Sequence, residues 1–421
     1  MKLSRLRPIT NTICLSGVLA GSVSLGYGQD ASKIDQLQKE NENLRKRLEA
    51  LEAMAQREGL LDPGDKPKSM PVKALSESVL SGFVQASYFY DTSVPGDRKS
   101  NGYLWNTSHN AFSLNKVKVT LASPGVERSG EKWDAAYRVS LIWGEDAPVV
   151  NTGGEAQGFE NLREAYVELN APLGTGLNLR LGQLISLLNY ESGDGGAVNA
   201  NFSQGYQWYY TGNGPGAGVQ AGYTFTDWLD LKLRLQNGMY SGPFDSNNGK
   251  TVMGSLGIKP DEHTWISLIG FGGDETDTMS LWGGSVLAGR TFGPKITTGL
   301  EIDYFHFDND SGAADADLYS FGGWFSYDFT PKIGIALRAE YLNDPDGGGL
   351  IGIPLGGRPG SALTSTDPNG EITSVALTLN IRPVPNVRLQ PEVRFDNTSY
   401  KDAFDGQENR FLVGMGASYL F

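Results

Sequence analysis

Cysteine and histidine are almost missing from this sequence, which has 1 cysteine and 3 histidines in 421 residues. The cysteine, Cys14, lies in an N-terminal segment that we expect to be removed, so no thiol remains for a disulfide or a thiolate metal site. Acidic residues outnumber basic residues, 48 to 35, and the net charge of -13 argues against a nucleic-acid partner. Only 20% of the residues are charged, which excludes an acidic disordered chain.

Long apolar stretches are also missing beyond the N-terminus, and none approaches the roughly 18 residues that a membrane helix needs. Glycine and aromatic residues are plentiful instead: there are 55 glycines, and Phe, Trp and Tyr make up 10% of the chain. The glycines follow no three-residue period, which excludes collagen. This composition indicates many strands and turns, and it leaves a membrane β-barrel open.

The N-terminus has the three parts of a secretory signal peptide. A basic segment, Lys2–Arg7, precedes a mildly apolar segment, Ile13–Leu25, and small residues follow at Gly26–Gly28. We therefore predict a signal peptide over 1–28 and a mature chain that begins near Gln29.

Residues 29–60 predict a coiled-coil helix. Apolar residues recur at heptad spacing, and one polar residue occupies an a position, which is a known way to fix register and strand number. The predicted coiled-coil core consists of Ile34, Leu37, Asn41, Leu44, Leu48 and Leu51. An isolated helix of this length would be marginal in water, so self-association is expected, and a solitary amphipathic helix is the alternative. A linker containing Pro63 and Pro71 follows over 61–80.

From Ser81 to the last residue the hydrophobic pattern has period two, with one apolar face and one face that is polar or glycine. Most of these segments are about 9 to 14 residues long, which is enough for a tilted strand to cross the hydrocarbon layer. The sixteen predicted strands begin near residues 81, 111, 132, 160, 176, 216, 228, 251, 263, 279, 295, 317, 332, 371, 386 and 409. Links after odd-numbered strands are expected to be longer than links after even-numbered strands without exception, as in an outer-membrane barrel.

These features predict an all-β protein: a 16-stranded antiparallel transmembrane β-barrel over 81–421, preceded by a short periplasmic α-helical coiled coil. Because the strand number is even, both ends of the barrel fall on the periplasmic side of the outer membrane, together with the coiled coil. Aromatic residues near strand ends favour this barrel over the alternative, a soluble propeller or jelly roll. Tyr419 and Phe421 resemble the C-terminal signal by which bacterial outer-membrane barrels are recognised for insertion.

Much of the first half of the barrel resembles a known family. The matching segments are Leu162–Leu169, Gly176–Gln183, Asn189–Glu191, the Gly-Pro-Gly of 214–216 and Asn237–Gly238. Together they look like the OmpL-like β-barrel porins. The chain departs from the family pattern at residue 189, where a glycine is expected before Tyr-Glu. Its layout, with a coiled coil ahead of a barrel, is similar to that of the sucrose-type porins, without a residue-level match.

A sixteen-stranded barrel is too wide for side chains to fill, so we expect a water-filled lumen for passive diffusion of small hydrophilic solutes or ions. The long loop 187–215 resembles the loop that narrows the pore of general porins, and it brings Glu191 and Asp194. Basic residues of the inward wall are expected to oppose it, namely Lys116, Lys118, Arg138, Arg180, Lys232 and Arg234. Acid on the loop and base on the wall would create a transverse field that selects solutes by charge. A solvated wall without a specific role is the alternative.

The sequence gives less support to other functional classes. An enzyme is not expected, because His306 near Asp303 and Asp308 is the one candidate for acid–base chemistry and no serine can be paired with it. No cofactor and no metal is expected, although acidic loops such as 308–312 can attract cations or bind calcium. The main alternative to a porin is an outer-membrane anchor or cell-wall tether that uses the coiled coil. Outer-membrane lipid is the expected partner in both cases, and a homotrimer would match a three-stranded coiled coil.

Overall fold

The computed structural model divides the chain into two units, Met1–Ser76 and Glu77–Phe421. In the first unit the described residues are helical, and they are Lys39, Glu42, Asn43, Lys46 and Arg47. In the second unit the structure describes 77–421 with gaps at 103–104, 152–159, 242–244, 246, 312–313, 348–349, 351–362, 364 and 366. The predicted signal peptide and the predicted coiled-coil core lie outside the described residues and stay predictions; that core is Ile34, Leu37, Asn41, Leu44, Leu48 and Leu51.

Among the described residues, sixteen antiparallel strands form one closed barrel, which confirms the predicted fold class. Each strand pairs with its neighbours in sequence, and the first strand pairs with the last. In chain order the strands are β1 (Val79–Asp91), β2 (Ala111–Ala122), β3 (Asp134–Trp143), β4 (Leu162–Ala171), β5 (Leu177–Leu184), β6 (Gly216–Thr226), β7 (Leu229–Gln236), β8 (Thr251–Asp261), β9 (Thr264–Thr276), β10 (Met279–Phe292), β11 (Ile296–Asn309), β12 (Ala316–Thr330), β13 (Ile333–Asp344), β14 (Gly370–Ile381), β15 (Val387–Thr398) and β16 (Asn409–Leu420). Every strand begins within two residues of its expected start.

The strands alternate in polarity because the two faces of the barrel meet different surroundings. On β13, Leu337 is 39% exposed on the outside, whereas Arg338 and Glu340 point inward and are buried. Apolar side chains suit the lipid face, and the closed ladder pairs the backbone N–H and C=O groups that lipid cannot hydrate. Trp133 and Trp228 are exposed at strand ends, where aromatic girdles of membrane barrels lie.

The links between strands depart from the expected alternation at two places. Only two residues, 277–278, join β9 to β10 at the end of the barrel that carries the long loops. At the opposite end, eleven residues, 123–133, join β2 to β3. The first exception arises because β9 and β10 continue their backbone pairing as far as Thr276 and Met279. The expectation of strict alternation is therefore wrong, although the other links follow it.

The barrel closes where Gly82 on β1 meets Phe421, the residue after β16. The N–H of each residue donates to the carbonyl oxygen of the other, with N–O distances of 2.9 and 3.0 Å. A Cβ atom at residue 82 would overlap the carbonyl oxygen of Lys118 on β2 and crowd the ring of Phe421. Glycine is therefore the residue that fits this seam without a backbone shift.

The described helices of the barrel unit are short and lie in the links. Helix α1 (Ala147–Val150) follows β3, while a 3-10 helix (Gly195–Ala197) and helix α2 (Tyr206–Tyr210) lie between β5 and β6. No helix in the described part of the chain is both long and apolar enough to cross a membrane. We call the β5–β6 link, residues 185–215, loop 3.

Candidate functional site

Loop 3 lies inside the barrel and crosses its lumen. It starts from β5 and returns to β6, but it contacts the inward faces of β11 to β16 on the opposite side, which we call the far wall. All residues of α2 are buried there, as are Phe202 and Asn201. Part of the polar inward face of the barrel is therefore covered by a polypeptide segment.

Three glutamates of the far wall hold the backbone of loop 3. Loop 3 has no lysine or arginine, so its backbone N–H groups are the donors that these carboxylates meet. The shortest bond to each glutamate comes from Tyr190 to Glu301 on β11 (2.7 Å), from Gln207 to Glu340 on β13 (3.0 Å) and from Phe202 to Glu392 on β15 (2.8 Å). Buried N–H groups are costly to leave without an acceptor, so these contacts anchor the loop.

Side chains of loop 3 strengthen the same contact. Gln207 Nε2 donates to Asp303 at 2.8 Å, and Thr211 Oγ1 donates to the same carboxylate at 2.7 Å. The hydroxyl of Tyr206 donates to Asp396 at 3.0 Å, and burial raises the pKa of Tyr206 above its usual value, which keeps the hydroxyl proton in place. Sequence reasoning missed this acidic wall, because alternation indicates which side chains point inward and says nothing about their partners.

Glu191 does not face the predicted basic wall. Its carboxylate accepts hydrogen bonds from Arg338 at 3.0 Å and from the indole of Trp324 at 3.1 Å, both on the far wall. The N–H of Gly205 donates to it at 2.8 Å. Arg338 is fully buried and also lies 3.0 Å from Glu340. The structure differs from the expectation here because loop 3 reaches the far wall within its first residues.

Asn189 occupies the position where the OmpL-like pattern has glycine. Its φ is +77°, in the left-handed region that glycine adopts freely and that asparagine tolerates better than most residues. The side-chain Nδ2 donates to Glu301 at 3.1 Å. The departure from the family pattern therefore keeps the backbone conformation that a glycine would allow.

Asp194 lies against the predicted basic wall. Its carboxylate is 2.6 Å from the Nζ of Lys118 on β2. Burial opposes ionisation, but the charges of Lys118 and Arg163 outweigh it and hold the pKa of Asp194 below its usual value. Lys116, the other predicted cation of β2, pairs instead with Asp146 of the β3–β4 link at 2.8 Å. The structure thus brings Asp194 to Lys118 but not to Lys116.

The four remaining predicted cations lie on the wall formed by β3 to β7. Arg138 on β3 is 2.5 Å from Glu164 on β4, and Arg180 on β5 is 3.0 Å from Glu168 on β4. The backbone register makes successive partners of Glu168, Arg180, Gln220 and Arg234 across β4 to β7. We call the four residues Arg138, Arg180, Lys232 and Arg234 the basic cluster.

Open space remains on both sides of loop 3. A cavity of about 390 Å³ lies between the whole basic cluster and the segment Leu184–Leu187, where loop 3 begins. On the far side of the loop, a cavity of about 400 Å³ is lined by Tyr190, whose ring stacks on that of Trp324 with 4.6 Å between centroids. Loop 3 therefore leaves open space on both of its sides within the described part of the barrel.

Aromatic residues from several links form a buried cluster at the long-loop end. Trp105 of the β1–β2 link packs edge-on against Trp208 of loop 3, with 4.6 Å between ring centroids. Tyr400 and Phe404 of the β15–β16 link belong to the same cluster, as does Met239 of the β7–β8 link. Burying each large apolar side chain contributes about 1.5–3 kcal/mol, so this cluster holds the outer side of loop 3 in place.

Acidic residues at the long-loop ends of β13 and β9 take part in internal contacts. Asp344 accepts the hydroxyl of Tyr400 at 2.9 Å, and Glu275 accepts the N–H of Met239 at 2.7 Å. Both carboxylates therefore fix neighbouring links. Within the described residues, no group of three or more His, Cys, Asp or Glu side chains is arranged to hold a metal ion.

A closed sixteen-stranded barrel with an apolar exterior and a loop folded into a polar lumen has the architecture of outer-membrane porins. The outer membrane protein OmpT of Vibrio cholerae, in a trimer form, aligns with a TM-score of 0.52 at 9% identity, over 82% of this chain and 99% of that chain. The anion-selective porin from Comamonas acidovorans aligns with a TM-score of 0.51 at 10% identity, over 82% and 99%. The outer membrane channel DcaP of Acinetobacter baumannii aligns with a TM-score of 0.51 at 14% identity, over 82% and 97%. At such identities the similarity concerns the fold alone.

The sequence profile of the family described as "Putative beta-barrel porin-2, OmpL-like" matches residues 79–421. The chain belongs to this family, which confirms the resemblance to the OmpL-like porins. No curated protein sequence matches the chain. Fold and family together make it an integral protein of the bacterial outer membrane, while the similarity in layout to the sucrose-type porins stays a prediction.

Proposed function

We propose that this protein is a porin, a water-filled channel for passive diffusion of small hydrophilic solutes, narrowed by loop 3. The observation that carries the proposal is the path of loop 3, which is anchored to Glu301, Glu340 and Glu392 of the far wall while space remains beside the basic cluster. A lumen lined by charged and amide side chains favours hydrated solutes over apolar ones.

Solutes pass between loop 3 and the wall formed by β3 to β7. The constriction consists of the basic cluster, which lines the open space, together with the ion pair of Lys118 and Asp194. The excess positive charge of the cluster creates a field across the path. Glu191 and Lys116 serve as structural anchors, because Glu191 bonds to Arg338 on the far wall and Lys116 bonds to Asp146 of the β3–β4 link. The constriction is therefore smaller than the full set of eight charged residues expected from the sequence.

The test is electrical recording from the purified full-length protein in planar lipid bilayers. We expect discrete conductance steps. We also expect larger steps in Glu392→Ala, because this change removes the acceptor of the Phe202 and Ser203 N–H groups and loosens loop 3. Glu371→Ala is the matched control, since Glu371 is exposed and its side chain binds Tyr341 away from loop 3.

Two outcomes contradict the proposal. Bilayers that stay silent although the protein is folded would exclude a channel and leave a membrane anchor. Equal steps in the wild type, in Glu392→Ala and in Glu371→Ala would show that loop 3 does not limit the current.

We further propose that the protein is a homotrimer. The support is the trimer form in which the similar OmpT barrel of Vibrio cholerae was obtained, together with the predicted coiled coil. Mass measurement in detergent tests this proposal, and a monomer as the main species contradicts it. A second sample that lacks residues 29–75 then tests whether the predicted helix determines the number of subunits.

A further inference from the structure

The basic cluster carries more positive charge than nearby carboxylates neutralise. Arg138 and Arg180 each have a glutamate partner on β4. Arg234 has neutral acceptors instead: its guanidinium donates to the side-chain oxygen of Gln220 at 2.8 Å and to the carbonyl oxygen of Ile185 at 2.8 Å. These bonds hold the guanidinium of Arg234 in place but leave its charge without a counter-ion.

Lys232 adds a second uncompensated charge two residues away on the same face of β7. Among the residues that the structure describes, its ammonium group makes no hydrogen bond and no ion pair. Asp230 attracts it from a greater distance, while Arg128, Arg180 and Arg234 repel it. Three cations and one carboxylate therefore act on the charge of Lys232.

The burial of these charges indicates that an anion accompanies them. Arg234 is only 5% exposed, and a buried cation without an anionic partner is costly unless an anion accompanies it. Both Arg234 and Lys232 line the cavity of about 390 Å³ beside loop 3. The cavity thus combines two free positive charges with enough space for a small solute.

We infer that this cavity is a binding site for a small oxyanion, the carboxylate or phosphate group of a permeating solute. The inference rests on the proposed channel function and names the class of solute that the channel takes. Guanidinium groups bind both kinds of oxyanion through paired N–H donors, and the ammonium of Lys232 adds a mobile point charge. The site favours anions beside loop 3 although the whole chain has a net charge of -13.

The first experiment measures ion selectivity in planar bilayers under a potassium chloride gradient. The wild type should show a reversal potential of the anion-selective sign. Lys232→Gln and Lys232→Gln/Arg234→Gln should each lower the anion-to-cation permeability ratio, by about threefold per charge removed, as expected for a unit charge a few ångströms from the ion in water. Lys232→Gln keeps the test valid if the double variant does not fold, because Lys232 has no bonded partner to lose.

Lys295→Gln/Lys332→Gln is the matched control, since it removes the same charge from two exposed turns outside the cavity. An unchanged ratio in the Lys232 variants would contradict the inference. An equal shift in the control would contradict it as well, because the overall charge and not the cavity would then determine selectivity.

The second experiment measures binding without current, by calorimetric titration of acetate and of inorganic phosphate into the detergent-solubilised protein at constant ionic strength. Heat that saturates with acetate alone identifies a carboxylate site, and heat that saturates with phosphate alone identifies a phosphate site. Saturation with both supports a general oxyanion site, provided that Lys232→Gln weakens it. Saturation with neither overturns the inference.

The two experiments separate this inference from the proposed function. Silent bilayers with oxyanion binding that depends on Lys232 would refute the channel and keep the site. Clear conductance with no anion preference and no binding would keep the channel and refute the site.

Discussion

Asn189 meets two requirements at one position of loop 3. Its backbone must turn with φ at +77°, and its side chain donates to Glu301 on the far wall. Glycine satisfies the first requirement only, whereas a β-branched residue satisfies neither. The residue therefore fixes where loop 3 turns and joins the turn to the wall.

Replacing Asn189 separates the two requirements. Asn189→Gly and Asn189→Val both remove the amide bond to Glu301, so the difference between them reports the backbone alone. We expect Asn189→Val to be less stable than Asn189→Gly by about 1–3 kcal/mol, because a valine at positive φ is strained. Urea unfolding of the protein in lipid vesicles measures the difference, and equal stability of the two variants would contradict the left-handed conformation.

For individual site residues, the sequence predicts whether a side chain points inward or outward, but not which residue it contacts. Period two correctly pointed the basic cluster and Lys118 inward, because a one-residue shift would reverse every side chain. Periodicity does not indicate which inward residues meet across the lumen. Glu191 consequently bonds to Arg338, which sequence reasoning did not single out. Pairing across a barrel depends on the three-dimensional path of loop 3, and no spacing in the chain encodes it.

At the scale of elements, loop 3 is held from two sides by different chemistry. Carboxylates of the far wall accept its N–H groups, whereas on the near side its own Asp194 binds Lys118. An apolar cluster around Trp105 and Trp208 holds it from the long-loop end. Removing one contact should therefore loosen part of the loop and leave the barrel intact.

The contact between Asp194 and Lys118 should depend on pH. The folded-state pKa of Asp194 is lower than its ordinary value of 3.8, so ionisation of this group stabilises the loop at any pH above that value. The stabilisation disappears as the pH falls through the lower, folded-state pKa. We expect the single-channel conductance to rise or fluctuate only after the pH has fallen well below 3.8, because Asp194 is then protonated in the folded protein and this contact is lost.

Conductance recorded from neutral to acidic pH checks this prediction. Asp194→Asn is the control, because its contact with Lys118 is weakened at every pH and its own titration is absent. If the wild type and Asp194→Asn respond identically to acid, other carboxylates govern the response and the prediction is wrong.

Whole strands were far more predictable than links. A strand that crosses the membrane has one face toward lipid and one toward water. Its apolar and polar residues therefore alternate, and this alternation can be recognised from the strand's own sequence. The hairpin of β9 and β10 shows the limit, since both strands pair up to a two-residue turn although the end of β9 carries the charged residues Asp274 and Glu275. Outside the lipid layer, a strand no longer needs apolar residues at every second position. The sequence therefore does not indicate that the backbone pairing of the two strands continues there.

At the scale of the whole molecule, the seam between β1 and β16 turns a sheet into a closed wall. The seam depends on Gly82, where any side chain would overlap the backbone of Lys118. Elsewhere in the barrel, Gly323 on β12 has open space around the position of a Cβ atom. These two glycines have the same chemistry and different surroundings.

Gly82→Ala should destabilise the barrel by about 1–3 kcal/mol, the usual cost of forcing an extra group into a packed site. Gly323→Ala should change the stability by less than about 0.5 kcal/mol, as is typical of changes away from packed sites. The fraction of compact protein on unheated gels, followed over temperature, measures both. Equal melting of the two variants would show that the seam is not the sensitive part of the wall.

The residues joined at that seam, such as Gly82 and Phe421, stand at opposite ends of the strand sequence. Closure therefore comes last: until β16 has been synthesised and delivered, every partial sheet exposes two unpaired edges that invite aggregation in water. We therefore expect chaperones to keep the polypeptide unfolded between its synthesis and its insertion into the lipid. Its biogenesis should depend more on chaperone capacity in the cell envelope than on its final stability.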